Sequence, residues 1–134
     1  MPAAWLILDS NRRRIGLAKD FGADVVWSAA GDRDKGYVNS VQQAIAAAEY
    51  TVTDIGHITV VQGTGGFSDT RSAVLFATMI AWQQEGTKLS EIVEEPGQPV
   101  QAIETGAQYG KLAKVVKELK PRYFAEPNIT QSKK

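Results

Sequence analysis

The residues with the clearest chemical potential are one acid and one glycine-rich elbow. Asp9 closes the apolar run "AAWLILDS". Acids at the ends of such strands ligand metal–nucleotide complexes in some α/β folds. The stretch "VVQGTGGFSDTR" sets Gly63, Gly65 and Gly66 between a β-branched run and a helix-like apolar stretch. Several backbone N–H groups near a helix N-terminus form a ready seat for an anion. Asp9, Gly63, Gly65 and Gly66 are therefore the candidate phosphate loop. The parts that would finish a nucleotide site are not beside it. A Walker A loop ends in Gly-Lys-Ser/Thr, and no lysine stands here; the third glycine of a dinucleotide fingerprint is replaced by Ser68. Glycines that reach positive φ at a strand-to-helix turn, and an aspartate that caps a turn, are the plainer readings.

Other chemistries find less material. The chain has no cysteine and one histidine, His57, which leaves no disulfide framework and no zinc site of the usual ligand types. There is no G-x-S-x-G nucleophile elbow. Glu94 and Glu95 are adjacent, so a strand would point them to opposite faces and part them as an acid/base pair. No catalytic residue, cofactor or metal is expected. Arg12, Arg13 and Arg14 fall in a hairpin turn and read as a solvated loop. Lys111, Lys114, Lys117 and Lys120 recur every third residue; a solvated helix face explains them more simply than contact with RNA phosphates.

The elements that must position these residues follow from patterning in a chain of 134 residues, enough for one domain. Three short strands come first, "AAWLILDS", "RIGLAKD" and "ADVVWSAAGD", an antiparallel meander. A helix over 36–49 carries Val38, Val41, Ala44, Ile45 and Ala48 on one stripe. "HITVVQ" suits a buried parallel strand. A second helix runs from Phe67 to Glu85, ending near Gly86, and "TKLSEIVEE" is a further strand. "PGQP" breaks the chain, and "VQAIE" is a short strand or an irregular connection. "TGAQYGKLAKVVKELK" is an amphipathic closing helix with Tyr109, Leu112, Val115, Val116 and Leu119 inward, stopped by Pro121. An extended tail with two aromatics follows, then a frayed end. The expected fold is α/β, a single domain with a βββαβαβ core plus a C-terminal helix. Residues 1–95 form the domain proper; 96–134 are the connection, closing helix and tail packed on it.

Formal charges balance, 15 basic against 15 acidic, so nothing global draws the chain to nucleic acid or an anionic membrane. The longest apolar stretch, Ala73 to Trp82, is far below the roughly 20 residues of a membrane span. The N-terminus places its arginines after the apolar run, the reverse of a secretory signal. A cytoplasmic protein is expected. The same stretch is also the most informative. Only Thr78 in it is polar, so a helix there is apolar nearly all round and needs cover on more than the sheet side. That implies a helix-mediated partner surface.

At this point "HITVVQGTGGFSDTRSAVLFATMIA" resembles the signature of bacterial TsaB (YeaZ-like) proteins, approximately G-P-G-S-F-T-G-L-R-I-G-L-A-T-A-K-G-L-A. Gly63, Gly65, Phe67, Ser68 (for Thr), Arg71 and Ala77 fall on that pattern. "WLILDS" resembles the family's first strand, and Pro121 and Tyr123 match its terminal "P-x-Y-x-R-P". Ala73 and Met79 stand where the family usually has glycines. The resemblance implies an actin-like (ASKHA, ribonuclease H-like) domain, in a minimal form lacking most of the family's second domain. It also implies a non-catalytic scaffold that pairs with a TsaD-type protein through helices 36–49 and 67–85. A TsaE-type ATPase joins the same complex, which makes threonylcarbamoyladenosine on tRNA; contact with tRNA would be indirect. The expected interface is Val38, Val41, Ile45, Phe67, Arg71, Val74, Leu75, Thr78, Met79 and Trp82. Pairing of two copies is another use of that face in isolation. The alternative is a nucleotide- or phosphate-binding ASKHA remnant enzyme using Asp9 and the Gly63–Gly66 loop.

Overall fold

Six strands make one sheet in a computed structural model that describes residues 3–29, 36–95, 97 and 103–122. They are β1 (Ala4–Asp9), β2 (Arg14–Ala18), β3 (Val26–Ala29), β4 (Ile55–Gln62), β5 (Lys88–Val93) and β6 (Lys114–Val116), in the order β3-β2-β1-β4-β5-β6. The first three form the antiparallel meander; β4 pairs parallel to both β1 and β5. Helix α1 (Tyr37–Ala47) links the meander to β4, with one 3-10 turn at Val52–Asp54 on the way. Helix α2 (Phe67–Gln83) links β4 to β5, and α3 (Gly106–Leu112) precedes β6. The α/β fold class and the βββαβαβ core are as the patterning predicts. No helix among the described residues is long and apolar enough to cross a membrane.

Central β1 is buried along its whole length, because both faces of the sheet are covered. Period-two alternation splits its side chains between two cores. Leu6 and Leu8 join Ile15, Leu17, Ile58 and Val60 beneath α1 and α2, where Val41, Ala44, Ile45, Ala73, Val74, Ala77 and Ile80 face the sheet. Trp5 and Ile7 join Val61, Ile92, Ile103 and Tyr109 on the α3 side. On that second face a hydrogen-bond chain crosses three strands. Trp5 Nε1 donates to Thr59 Oγ1 at 2.8 Å. Thr59 and Ser90 hydroxyls are 2.7 Å apart, and Ser90 Oγ lies 2.8 Å from His57 Nε2. The Thr59 and Ser90 hydroxyls each donate or accept along this chain, with the direction at its end set by the His57 tautomer. His57 is a satisfied structural residue. Phe21 stacks over its ring at 4.4 Å.

The C-terminal part differs from the expected closing helix. A capping box between Thr105 and Gln108 starts α3, but the helix stops at Leu112. The next residues pair antiparallel with β5, Val115 opposite Ser90 and Val116 opposite Leu89. Two adjacent β-branched valines beside an open sheet edge gain more from the ladder than from another helical turn. Tyr109 and Leu119 are buried as expected, whereas Leu112 and Val115 are exposed. The lysines at 111, 114, 117 and 120 share no helix face. "VQAIE" lies mostly outside the described residues, and so does the tail from Tyr123.

His57 yields a test. Burial, and secondarily Lys88, lowers its pKa to about 4 from the ordinary 6.5. The unfolded chain then binds the extra proton between those values, so stability is full above pH 6.5 and falls as pH drops toward 4. The loss expected by pH 4 is about 3 kcal/mol. Urea midpoints between pH 7 and 4.5 should show this decline in the wild type and a much flatter profile in His57→Gln.

Candidate functional site

The chain leaves β4 at Gln62 and turns through the glycine elbow into α2, and two glycines there meet neighbouring backbone. Gly63 has φ +124°, and a Cβ at that position would collide with the Glu94 carbonyl. At Gly65 a Cβ would collide with the carbonyl of Ser10. At Gly66, the residue before α2, a Cβ would make only an ordinary contact with Asp69 Oδ2 at 3.9 Å. Two N–H groups of the elbow have a partner within the chain. Asn11 Oδ1 accepts from Thr64 N at 3.0 Å and from Gly65 N at 2.8 Å. The elbow therefore packs tightly on the β1–β2 turn, and Asn11 already takes the two N–H groups that an anion would need.

Asp9 is fully buried at the head of the same turn, and its carboxylate is held from several sides. Arg12 Nη1 lies 3.1 Å from Asp9 Oδ2, and the backbone N–H of Arg12 donates to Oδ1 at 3.0 Å. Tyr109 donates its hydroxyl to Asp9 Oδ2 from α3 at 2.5 Å, while accepting from Arg14 at 2.7 Å. Arg12 also grips Glu94 through both terminal guanidinium nitrogens, Nη1 to Oε1 at 2.9 Å and Nη2 to Oε2 at 2.7 Å. Asn11 Nδ2 adds a bond to Glu94 Oε1 at 2.7 Å. Burial pushes the Glu94 pKa up, but the hydrogen bonds from Arg12 and Asn11 outweigh it and leave the carboxyl below its usual value. For Tyr109, burial and then the Asp9 charge raise the phenol, so it stays protonated and donates. Arg13 pairs with buried Asp69 in the first turn of α2. Arg14 lies over Trp27, 4.1 Å from the ring centroid, and donates to the Ile103 carbonyl at 2.6 Å.

The arginines therefore form no solvated loop; each is tied to a different part of the fold. The signal for this was Asp9 itself. A carboxylate at the end of a fully apolar strand needs a cation, and three follow within five residues. Glu94, Asn11 and Tyr109 carried no local signal, since their partners lie far off in sequence. No group of three or more His, Cys, Asp or Glu side chains suited to a metal occurs among the described residues. The cations inside this cluster belong to the chain's own arginines.

On α2 the expected interface divides into two sets. Phe67 is 49% exposed, Leu75 54%, Met79 57% and Trp82 89%, with Arg71 also exposed and Thr78 half-buried beside them. These positions recur at steps of three or four residues and so line one outward face of the helix. Val38 on α1 is exposed as well. Val41, Ile45 and Val74 are corrections to the expected set: all three are buried against the sheet. Ala73 is buried too, so of the two positions where the resembled family has glycine, only Met79 alters the outward face.

No family model matches this chain, and no curated protein matches it. Among solved structures, YeaZ from Pseudomonas aeruginosa is similar at 13% identity with a TM-score of 0.47. The match covers 69% of this chain and 44% of that one.

Removal of Arg12 tests the cluster. Arg12→Ala leaves Asp9 and Glu94 facing each other without their shared cation, and the expected loss is about 2–3 kcal/mol, reduced from the fully buried case by partial solvent access. Gly65→Ala, which forces the elbow off the Ser10 carbonyl, should lose at least about 2 kcal/mol. Urea unfolding of both variants reads these values. A loss under about 0.5 kcal/mol in either would contradict the packing described.

Proposed function

We propose that this chain is a non-catalytic docking subunit, and that its partner is a TsaD-type protein in the cytoplasmic complex that makes threonylcarbamoyladenosine on tRNA. The observation that carries the reading is the outward face of α2. Phe67, Leu75, Met79 and Trp82 leave a long apolar stripe in water on a helix whose other side is already packed. Contiguous apolar surface of this kind marks an interaction site, and covering it returns roughly 25 cal/mol per Å². The kind of partner is suggested by the elbow–helix residues that resemble the TsaB signature, Gly63, Gly65, Phe67, Ser68, Arg71 and Ala77. A docking role also suits the filled elbow, where Asn11 and Arg12 take the positions that phosphate and cation would need. A TsaE-type ATPase and tRNA would then meet this chain only within the assembled complex.

Co-purification with the TsaD-type protein of the same organism is the direct test, with a stable complex expected on size exclusion at micromolar concentration. Leu75→Glu and Met79→Lys should weaken it at least tenfold while leaving the far-UV circular dichroism of the free chain unchanged. Val74→Glu should instead unfold the chain, because that side chain lies in the core. Failure of the wild-type chain to bind would remove the proposal.

A further inference from the structure

β3 and β6 stand at the two ends of the sheet, and they are finished differently. The β6 strand carries Lys114, with Lys117 directly after it, charges of the kind that discourage a further strand. β3 reads Val26-Trp27-Ser28-Ala29 and carries no charge. Among the described residues it pairs with β2 alone, which leaves its other edge without a ladder. Val26 is 72% exposed although it stands opposite Leu17 of the core. Beside it runs a groove of about 590 Å³, with Leu17, Ala48 and Tyr50 among its walls. Uncharged edge backbone beside apolar side chains is a template for another extended strand.

We propose that this strand is β3 of a second copy, paired antiparallel across a two-fold axis through Val26, so that two sheets become one. The register follows from the two faces of the sheet. With the axis at Val26, Val26 meets its own copy, Val25 meets Trp27, and Asp24 meets Ser28. Each pair differs by an even number of residues, so each keeps to one face. Asp24 and Val25 lie just before β3 as it stands and join it on pairing. Val25 and Trp27 both pack on the second core, and they extend it as a β-branched–aromatic pair across the new ladder. On the other face the Ser28 hydroxyl donates to the Asp24 carboxylate of the second copy, twice by symmetry. The stretch from Asp24 to Ser28 is thus complementary to its own reverse, and no charge meets a like charge. The balance of 15 basic and 15 acidic residues sets up no net repulsion between copies. Helix α1 packs over β2, whereas α2 packs over β4 and β5, so the joint lies away from the outward face of α2. The pairing stands without the docking role proposed above.

Light scattering on the full-length chain, from micromolar to millimolar concentration, should show the mass rising from one copy to two. Val26→Lys sets two like charges face to face at the axis and should weaken the dimer about tenfold or more. Its far-UV circular dichroism should stay that of the wild type, because the side chain lies outside the core. Leu75→Glu on α2 and Val115→Lys on the opposite edge should leave the dimer unchanged. In a mixture of isotope-labelled and unlabelled wild-type chains, filtered NMR should find contacts between copies at the Val26 methyls. A mass that stays monomeric at millimolar concentration would overturn the pairing. So would a dimer that Leu75→Glu dissolves and Val26→Lys does not, or one without contacts between copies at Val26. None of these readings needs the TsaD-type protein, so they are decided apart from the docking proposal.

Discussion

Burial of the Asp9 carboxylate is the constraint that organises this fold. A charge at the end of a fully apolar strand is tolerated only with cations and donors fixed around it, and supplying them joins distant parts of the chain. Arg12 links Asp9 to Glu94 at the end of β5. Tyr109 brings α3 onto the second face of the sheet, and Arg14 secures the approach to that helix through the Ile103 carbonyl. Asn11, between these arginines and β1, clasps the elbow. One turn of five residues therefore sets the direction of α2, the position of α3 and the end of β5.

That arrangement separates two roles which the sequence runs together. Glycine at 63 and 65 suggests an anion site when read locally, yet each is required by a carbonyl pressed against its Cα. Glycine here permits close approach, and the close approach aims α2. The helix then carries its apolar residues in two directions. Ala73, Val74, Ala77 and Ile80 close the core, while Leu75, Met79 and Trp82 stay outside it. Removing the outward set should leave the fold intact.

Much of the fold was legible because it rests on local periodicity. The meander, the buried parallel strand and the limits of α2 follow from strand and helix patterns that neighbouring residues carry themselves. The closing helix was misread where tertiary context overrode pattern: the spacing of Tyr109, Leu112, Val116 and Leu119 suits a helix, but an unpaired edge of β5 recruits Val115 and Val116 into β6. The facing of the interface residues was illegible for a related reason. A helix with only Thr78 polar over three turns has no polar stripe to mark its outer side, so Val74 and Leu75 look alike until the sheet is in place. The Asp9 cluster was half legible. Its acid and its arginines are adjacent in sequence, while Glu94 and Tyr109 join them only through the fold.

The central claim is that the elbow aims α2 so that its outward face meets a partner. It is tested most directly by following the Met79 methyl and Trp82 indole NMR signals while the TsaD-type protein is titrated into the chain. The account predicts that both shift and broaden in step with binding, while the indole signal of Trp5, buried in the second core, stays in place. Binding that leaves Met79 and Trp82 unperturbed would contradict it.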